Sequence, residues 1–303
     1  MSMYNVEGFF SYMDKEARAM FLYKGISLRM VHNMNHLYQR LGVLGERLST
    51  GQRINRAADD PAGLAISEKM RAQIRGIRQA QRNAQDGISL MQVAEGAMNE
   101  IHAMLQRMRE ISIQASNGTY QNEDRALLDL EFQQLKEGIE SISRQTQFNT
   151  KCLLDGGRDG NALEINLQVG ANSGDMMKIS INSMTLESLG LENASIDTLE
   201  NAQSSIALLD QSIGKVSQSR SSLGAMHNRL EHTIRYLENY EENLTAAESR
   251  IRDVDMAQTM MEYIKTQITL EVAQAVFAHT LKMEQRRVRM LLEAFLNINY
   301  YDK

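Results

Sequence analysis

Apolar residues run along this chain in three long stripes of helical period. Met91, Ala94, Met98, Ile101, Leu105 and Met108 advance by three and four residues in alternation, the spacing of a coiled-coil seam. Leu128, Phe132, Leu135, Ile139 and Ile142 repeat that alternation. Ile206, Leu209, Ile213 and Val216, then Leu223, Met226, Leu230, Ile234, Leu237 and Leu244, carry it through the C-terminal half. Stripes so far apart in sequence cover one another only as an antiparallel bundle, and the "SNGT" at Ser116–Thr119 makes the first two a helical hairpin. One region has period two. Leu163, Ile165, Leu167 and Val169 alternate with Glu164, Asn166 and Gln168, and Met177, Ile179 and Ile181 alternate likewise after "GANSGD". That pattern predicts a β-hairpin at about 161–183.

The first long helix has a sharp start. Asp60 suits the N-cap, and Pro61 suits the first helical position, where its missing N–H leaves nothing unpaired. From there to Ser116 no breaker intervenes, a span of 55 residues or about 80 Å. The fold expected is mainly α: an antiparallel, coiled-coil-like rod with a small β-hairpin, and helical N- and C-terminal segments brought together as a pair.

Composition sharpens this picture. One Pro, no Trp, 6% aromatic residues and 20 Met describe a chain that packs along seams rather than around a thick core. A net charge of −5 argues against nucleic acid as a partner. The lone Cys152 excludes an internal disulfide. No apolar run of about 18 residues predicts a membrane-spanning helix, and the N-terminus lacks the basic and apolar regions of a secretory signal. Taken alone, these features predict a cytoplasmic chain.

Candidate chemistry is sparse. His32 and His36 stand four apart with no evident third ligand, so no metal site is expected. "DGGRDGN" at 155–161 offers acidic oxygens to calcium but reads first as a turn, and it lacks the lysine and helix start of a phosphate loop. No nucleophile–base arrangement is visible, so neither an enzyme nor a cofactor is expected. Arg71, Arg75, Arg78 and Arg82 form a stripe that reads as a solvated face pairing locally, with a subunit contact as the alternative. Sequons at Asn117, Asn193 and Asn243 matter only in a secretory pathway.

Several motifs together carry a family resemblance. "LSTGQRINRAADDPAGLAISEKM" and the residues after it, to about Glu100, resemble the N-terminal region of bacterial flagellins. "LQRMREISIQASNGT", "QTQFNTKCLLDG" and "LQVGAN" follow in the family's order, and "AESRIRDVDMAQTMMEYIKTQI" is similar to its C-terminal signature. The resemblance implies a short flagellin without variable outer domains. It would be a filament subunit exported by the flagellar type III route, which needs no signal peptide, and would end in an extracellular filament. It also implies a homopolymer of like subunits, an export chaperone on the C-terminal helices, and filament cap and hook-junction proteins as partners. The implied division is 30–60 with 254–303 as a terminal helical inner-tube domain and 61–253 as the rod. Residues 1–29 are expected to have no family counterpart, with Met30 as an alternative start.

The resemblance further assigns Leu105, Gln106, Arg107, Ile111, Gln114 and Glu131 to a surface that contacts subunits or an animal Toll-like receptor. It makes Arg53, Arg56, Asp60, Pro61 and Asp253 an inter-domain junction, with Arg53 and Arg56 pairing to the returning "RIRDVD" segment. Two departures stand out. About nine residues, some two and a half helical turns, are fewer after Gly42 than the family pattern has, and Arg286, Arg287 and Arg289 occupy a tail usually rich in Gln, Ala and Leu. A non-polymerising or minor flagellin-like chain is the alternative these departures suggest.

Overall fold

The computed structural model describes residues 4–156 and 162–301, with side chains described for 24–156, 162–290 and 292–293. Four long helices carry most of the chain: α1 (Tyr4–Thr50), α2 (Pro61–Ala115), α5 (Leu199–Arg252) and α6 (Met256–Tyr301). Between α2 and α5 lie α3 (Asn122–Gln145), strands β1 (Gln147–Phe148), β2 (Lys151–Cys152), β3 (Ala162–Gln168) and β4 (Met176–Asn182), and the short α4 (Leu186–Leu189). The chain divides into two compact units, Met1–Ser67 with Glu248–Lys303, and Glu68–Ala247. The divisions fall inside α2 and α5 rather than at the helix ends near 60 and 253, because both helices run on unbroken past them.

In the larger unit the predicted α2 stripe is the core. Met91, Ala94, Met98, Ile101, Leu105 and Met108 are all buried, against Phe132 and Ile139 of α3 and Leu209, Val216, Leu223 and Leu230 of α5. The last four stand seven apart, a strict heptad position. Its companion position is held by serines. Ser205, Ser212 and Ser219, also seven apart, are buried, and each has a polar partner on the segment returning toward α5. Ser205 donates to Ser195 O (2.8 Å), Ser212 donates to Leu189 O (3.0 Å), and Ser219 accepts from Asn182 Nδ2 (3.0 Å). A small side chain lets that segment approach, and the hydroxyl pairs with a polar group there, a backbone carbonyl for Ser205 and Ser212 and a side-chain amide for Ser219.

The predicted β-hairpin forms, with Leu163 opposite Ile181, Ile165 opposite Ile179 and Leu167 opposite Met177. Met177, Ile179 and Ile181 turn into the core. The β1–β2 hairpin was not predicted; its two central residues, Asn149 (φ 48) and Thr150 (φ 66), are both left-handed, as a tight primed turn requires. Lys136 of α3 is buried and donates to Glu192 O (2.9 Å) and Ala194 O (3.0 Å), while Asp129 accepts from Ile196 N (2.9 Å). Together they hold the 192–196 segment to α3. Part of the 155–161 loop lies outside the described residues.

In the smaller unit α1 and α6 run antiparallel. Tyr38 Oη accepts from Gln274 Nε2 at 2.6 Å, and Arg40 pairs with Glu262 at 3.7 Å. Leu44, Thr259, Thr266 and Leu270 are buried in the pair.

Candidate functional site

Three surfaces bear on function, and the first is the junction. Gly51 (φ 70) ends α1 in the left-handed conformation that glycine adopts without strain. Gln52 then forms an antiparallel bridge with Asp253, closed by Arg53 N to Arg252 O (2.7 Å) and Val254 N to Gly51 O (3.0 Å). Arg53 does reach the "RIRDVD" segment, through Nη2 (2.6 Å) and Nε (3.2 Å) to the Ile251 carbonyl, and its charged neighbour is Asp60 at 3.8 Å. Asp253 contributes backbone to the bridge. Arg56 differs from expectation: it turns back to α1 and grips Glu46 with two bonds of 3.1 Å, because the 55–59 turn aims it there. That turn is held by Asp59, whose carboxylate accepts from Arg56 N (2.9 Å) and Asn55 N (3.1 Å). The Arg56 backbone bond, then the Asn55 bond, keep the Asp59 carboxyl below the ordinary range.

Asp60 caps α2 as the sequence predicted, accepting from Gly63 N at 2.9 Å with Pro61 in the first turn. Gly63 is part of this cap: a Cβ there would lie 2.9 Å from Asp60 Cγ and 2.9 Å from Cδ1 of the fully buried Ile54. A second cap went unpredicted. Asp255 accepts from Gln258 N (3.0 Å) and starts α6 in the same manner.

The second surface is the α2–α3 hairpin. Arg107 donates from Nε to Glu131 (2.9 Å) and from Nη1 to Glu110 (3.1 Å), all three half-exposed. The Glu131 bond and then the Glu110 bond hold the guanidinium more firmly protonated. Gln106 contacts His102, and Gln114 donates to Tyr120 Oη (3.0 Å) across the turn. Leu105 and Ile111 correct the sequence assignment, for both are buried in the core. A residue in the α2 seam cannot also present its side chain outward, so the face is made of Gln106, Arg107, Glu110, Gln114 and Glu131. The arginine stripe is similarly mixed: Arg82 bonds locally to Gln79, whereas Arg78 crosses to Glu241 of α5 at 2.6 Å.

The third surface emerged only in the fold. On α6, Met260, Ile264, Ile268, Val272 and Val276 recur every four residues and are 45–56% exposed. The opposite face, turned to α1, buries Thr259 and Thr266. Two threonines share the inner face with Leu270 while a row of large aliphatic side chains stays outside, a contiguous apolar row that a finished surface rarely exposes. Farther along the helix Lys282, Gln285, Arg286 and Arg289 line an open hollow of about 570 Å³, so these cations are wetted. Among the described residues no helix is long and apolar enough to cross a membrane, and no group of three His, Cys, Asp or Glu is placed to hold a metal.

Comparison with known proteins accounts for this architecture. Residues 22–159 match the bacterial flagellin N-terminal helical region, and residues 206–291 match the bacterial flagellin C-terminal helical region. The first match begins inside the 1–29 segment. A flagellin from Halalkalibacterium halodurans is 54% identical over 248 residues, covering 81% of this chain and 90% of that one. A flagellar filament core protein from Brachyspira hyodysenteriae is 42% identical over 255 residues, covering 80% and 90%. The crystal structure of Bacillus cereus flagellin is 31% identical, covering 52% of this chain and 88% of that chain, with a TM-score of 0.45. The chain therefore belongs to the bacterial flagellins, the structural subunits of the flagellar filament.

Proposed function

We propose that this flagellin self-assembles into a helical filament through the outward stripe of α6. One observation carries the reading: the exposed apolar row of α6, with Ile264 and Ile268 exposed at 45% and 55% on the side away from the buried Thr266 and Leu270. Removing such a stripe from water is worth about 25 cal/mol per Å² of apolar area, and only another molecule can cover it. Copies of the same chain supply matching stripes, and heterologous contacts that do not close generate filaments. The role is structural and non-catalytic. Family membership supports, as part of the same proposal, export by the flagellar route, an extracellular filament, a chaperone on the C-terminal helices, and cap and hook-junction partners. Sedimentation and negative-stain imaging of the purified chain test the reading. Filaments that disappear in Ile264→Glu/Ile268→Glu, with helicity retained, support it. A parent chain that stays monomeric under assembly conditions overturns it and favours a minor, non-polymerising flagellin.

A second reading concerns the α2–α3 face. The exposed Arg107–Glu131–Glu110 network, flanked by Gln106 and Gln114, presents a pre-organised guanidinium to a partner such as a Toll-like receptor or a neighbouring subunit. Arg107→Ala should lower receptor signalling by soluble monomer without changing helicity. Unchanged signalling would refute this assignment.

A further inference from the structure

The turn between α2 and α3 is built around Asn117–Gly118, the one place in the chain where glycine follows asparagine. Asn117 and Gly118 are both exposed there. The Asn117 side chain folds over its own C-terminal peptide, with Oδ1 accepting from Thr119 N at 3.3 Å. The hydrogen bond draws electrons from the side-chain carbonyl and makes Cγ more electrophilic toward the neighbouring Gly118 nitrogen. The amides on either side are occupied: Asn117 N donates to Gln114 O (3.2 Å), and Tyr120 N donates to Asn117 O (3.3 Å). The Gly118 N–H, among the described residues, donates to no protein acceptor, and Gly118 is exposed.

We infer that Asn117 is a site of spontaneous deamidation, in which the Gly118 nitrogen is the nucleophile. Hydroxide removes the amide proton, and the nitrogen attacks Cγ of Asn117 to form a new N–C bond. The side-chain amide leaves as ammonia, taking up one proton from solvent, and a five-membered succinimide remains. Water then opens the ring at either carbonyl, giving aspartate or isoaspartate at position 117. The net reaction consumes one water and releases one ammonia, with no oxidant, reductant or enzyme.

Among the described residues, the other asparagines in turns lack one of these conditions. After Asn55 the next amide, Arg56 N, is bound to Asp59 at 2.9 Å. After Asn193 the Ala194 N–H is bound to Leu191 O at 3.2 Å. Asn149 precedes the β-branched Thr150, whose side chain crowds the closing ring. Asn172 lies in an exposed turn but precedes Ser173, so it ranks behind Asn117.

The product alters a clamp. Arg125, 6% exposed, donates from Nη2 to the Asn117 carbonyl (3.2 Å) and from Nε to the Ala115 carbonyl (2.9 Å), closing the helical hairpin. Isoaspartate lengthens the backbone by one carbon at that point and moves the gripped carbonyl, while either product adds a negative charge beside the guanidinium.

Peptide mass mapping of the full chain, aged at neutral and at mildly alkaline pH, tests the inference. The peptide containing position 117 should gain about one dalton before any other asparagine peptide, become a substrate for isoaspartyl methyltransferase, and convert at a rate that rises with hydroxide. Gly118→Ala meets no atom within 4 Å and keeps an ordinary φ, so it should fold. Its rate should fall on the order of tenfold, since glycine alone lets backbone approach so closely. The inference is overturned if another asparagine in the native chain converts first, or if Gly118→Ala deamidates as fast as the parent.

Discussion

Gly63→Ala separates two effects that helix propensity alone would confuse. Gly63 sits in the first turn of α2, where alanine ordinarily gains about 1 kcal/mol over glycine in a helix interior. Here the added methyl would lie 2.9 Å from Asp60 Cγ and 2.9 Å from Ile54 Cδ1. Ile54 is fully buried and has no space to withdraw into, and Asp60 cannot turn away without releasing Gly63 N. Losing the cap costs about 1 kcal/mol, and overpacking at a buried contact costs about 1–3 kcal/mol. Set against the propensity gain, the net loss is about 1–3 kcal/mol. With an m-value of roughly 2 kcal/mol per molar urea, the unfolding midpoint should fall by about 1 M. Gly42→Ala is the control, because Gly42 is an exposed interior position of α1 in the same unit with no atom within 4 Å of its missing Cβ. It should raise stability by about 0.5–1 kcal/mol. Urea melts followed by helical circular dichroism read both. If Gly63→Ala raises the midpoint as Gly42→Ala does, the cap-and-clash account is wrong.

Three further perturbations probe the same chemistry. Asp59→Asn should flatten the acid limb: the folded carboxyl titrates below its ordinary 3.8, so the stability it confers is present above that value and lost as pH falls through the lowered one; an unchanged acid limb in pH-dependent melts would contradict this. Burial, the largest influence on Lys136, lowers its pKa from 10.5, so the unfolded chain holds the extra proton between the two values and folding stability rises with pH in that window; Lys136→Met should remove that rise, as alkaline melts would show. Because Arg53 bonds the Ile251 carbonyl and Asp253 pairs through backbone, Arg53→Ala and Asp253→Ala should be additive within about 0.5 kcal/mol in a double-mutant cycle, and a larger coupling would restore a direct ion pair.

What could be read from the sequence, and what could not, follows from what periodicity measures. A stripe such as Met91 to Met108 is legible because every position that the spacing marks is also the position α3 and α5 cover. On α5 the same logic divides. Leu209 and Val216 are buried as expected, but Ile206 and Ile213 are only half-buried, and the companion seam belongs to Ser205, Ser212 and Ser219. Apolar patterning assigns serine to the surface, and only the polar partners on the returning segment turn it inward. A seven-residue serine repeat was the available signal. The hairpin face failed for a related reason: a motif resemblance assigns residues one by one, whereas a helix cannot point Leu105 both into its seam and toward a partner.

The α6 stripe shows the same limit from the other side. Read as sequence, Met260, Ile264, Ile268 and Val272 are one more apolar helix row, and their spacing does not say whether this chain covers them. Their significance is relational: α1 already occupies the opposite face, where it meets Thr259, Thr266 and Leu270. A helix with two faces to bury and one neighbour within the chain leaves one face for assembly, and placing the weaker, threonine-bearing face inside keeps the stronger one available. That division also explains why a wetted cluster of Lys282, Arg286 and Arg289 is compatible with assembly. These three cations lie beyond Val276, the last residue of the four-residue stripe, so subunits can cover the stripe without burying them.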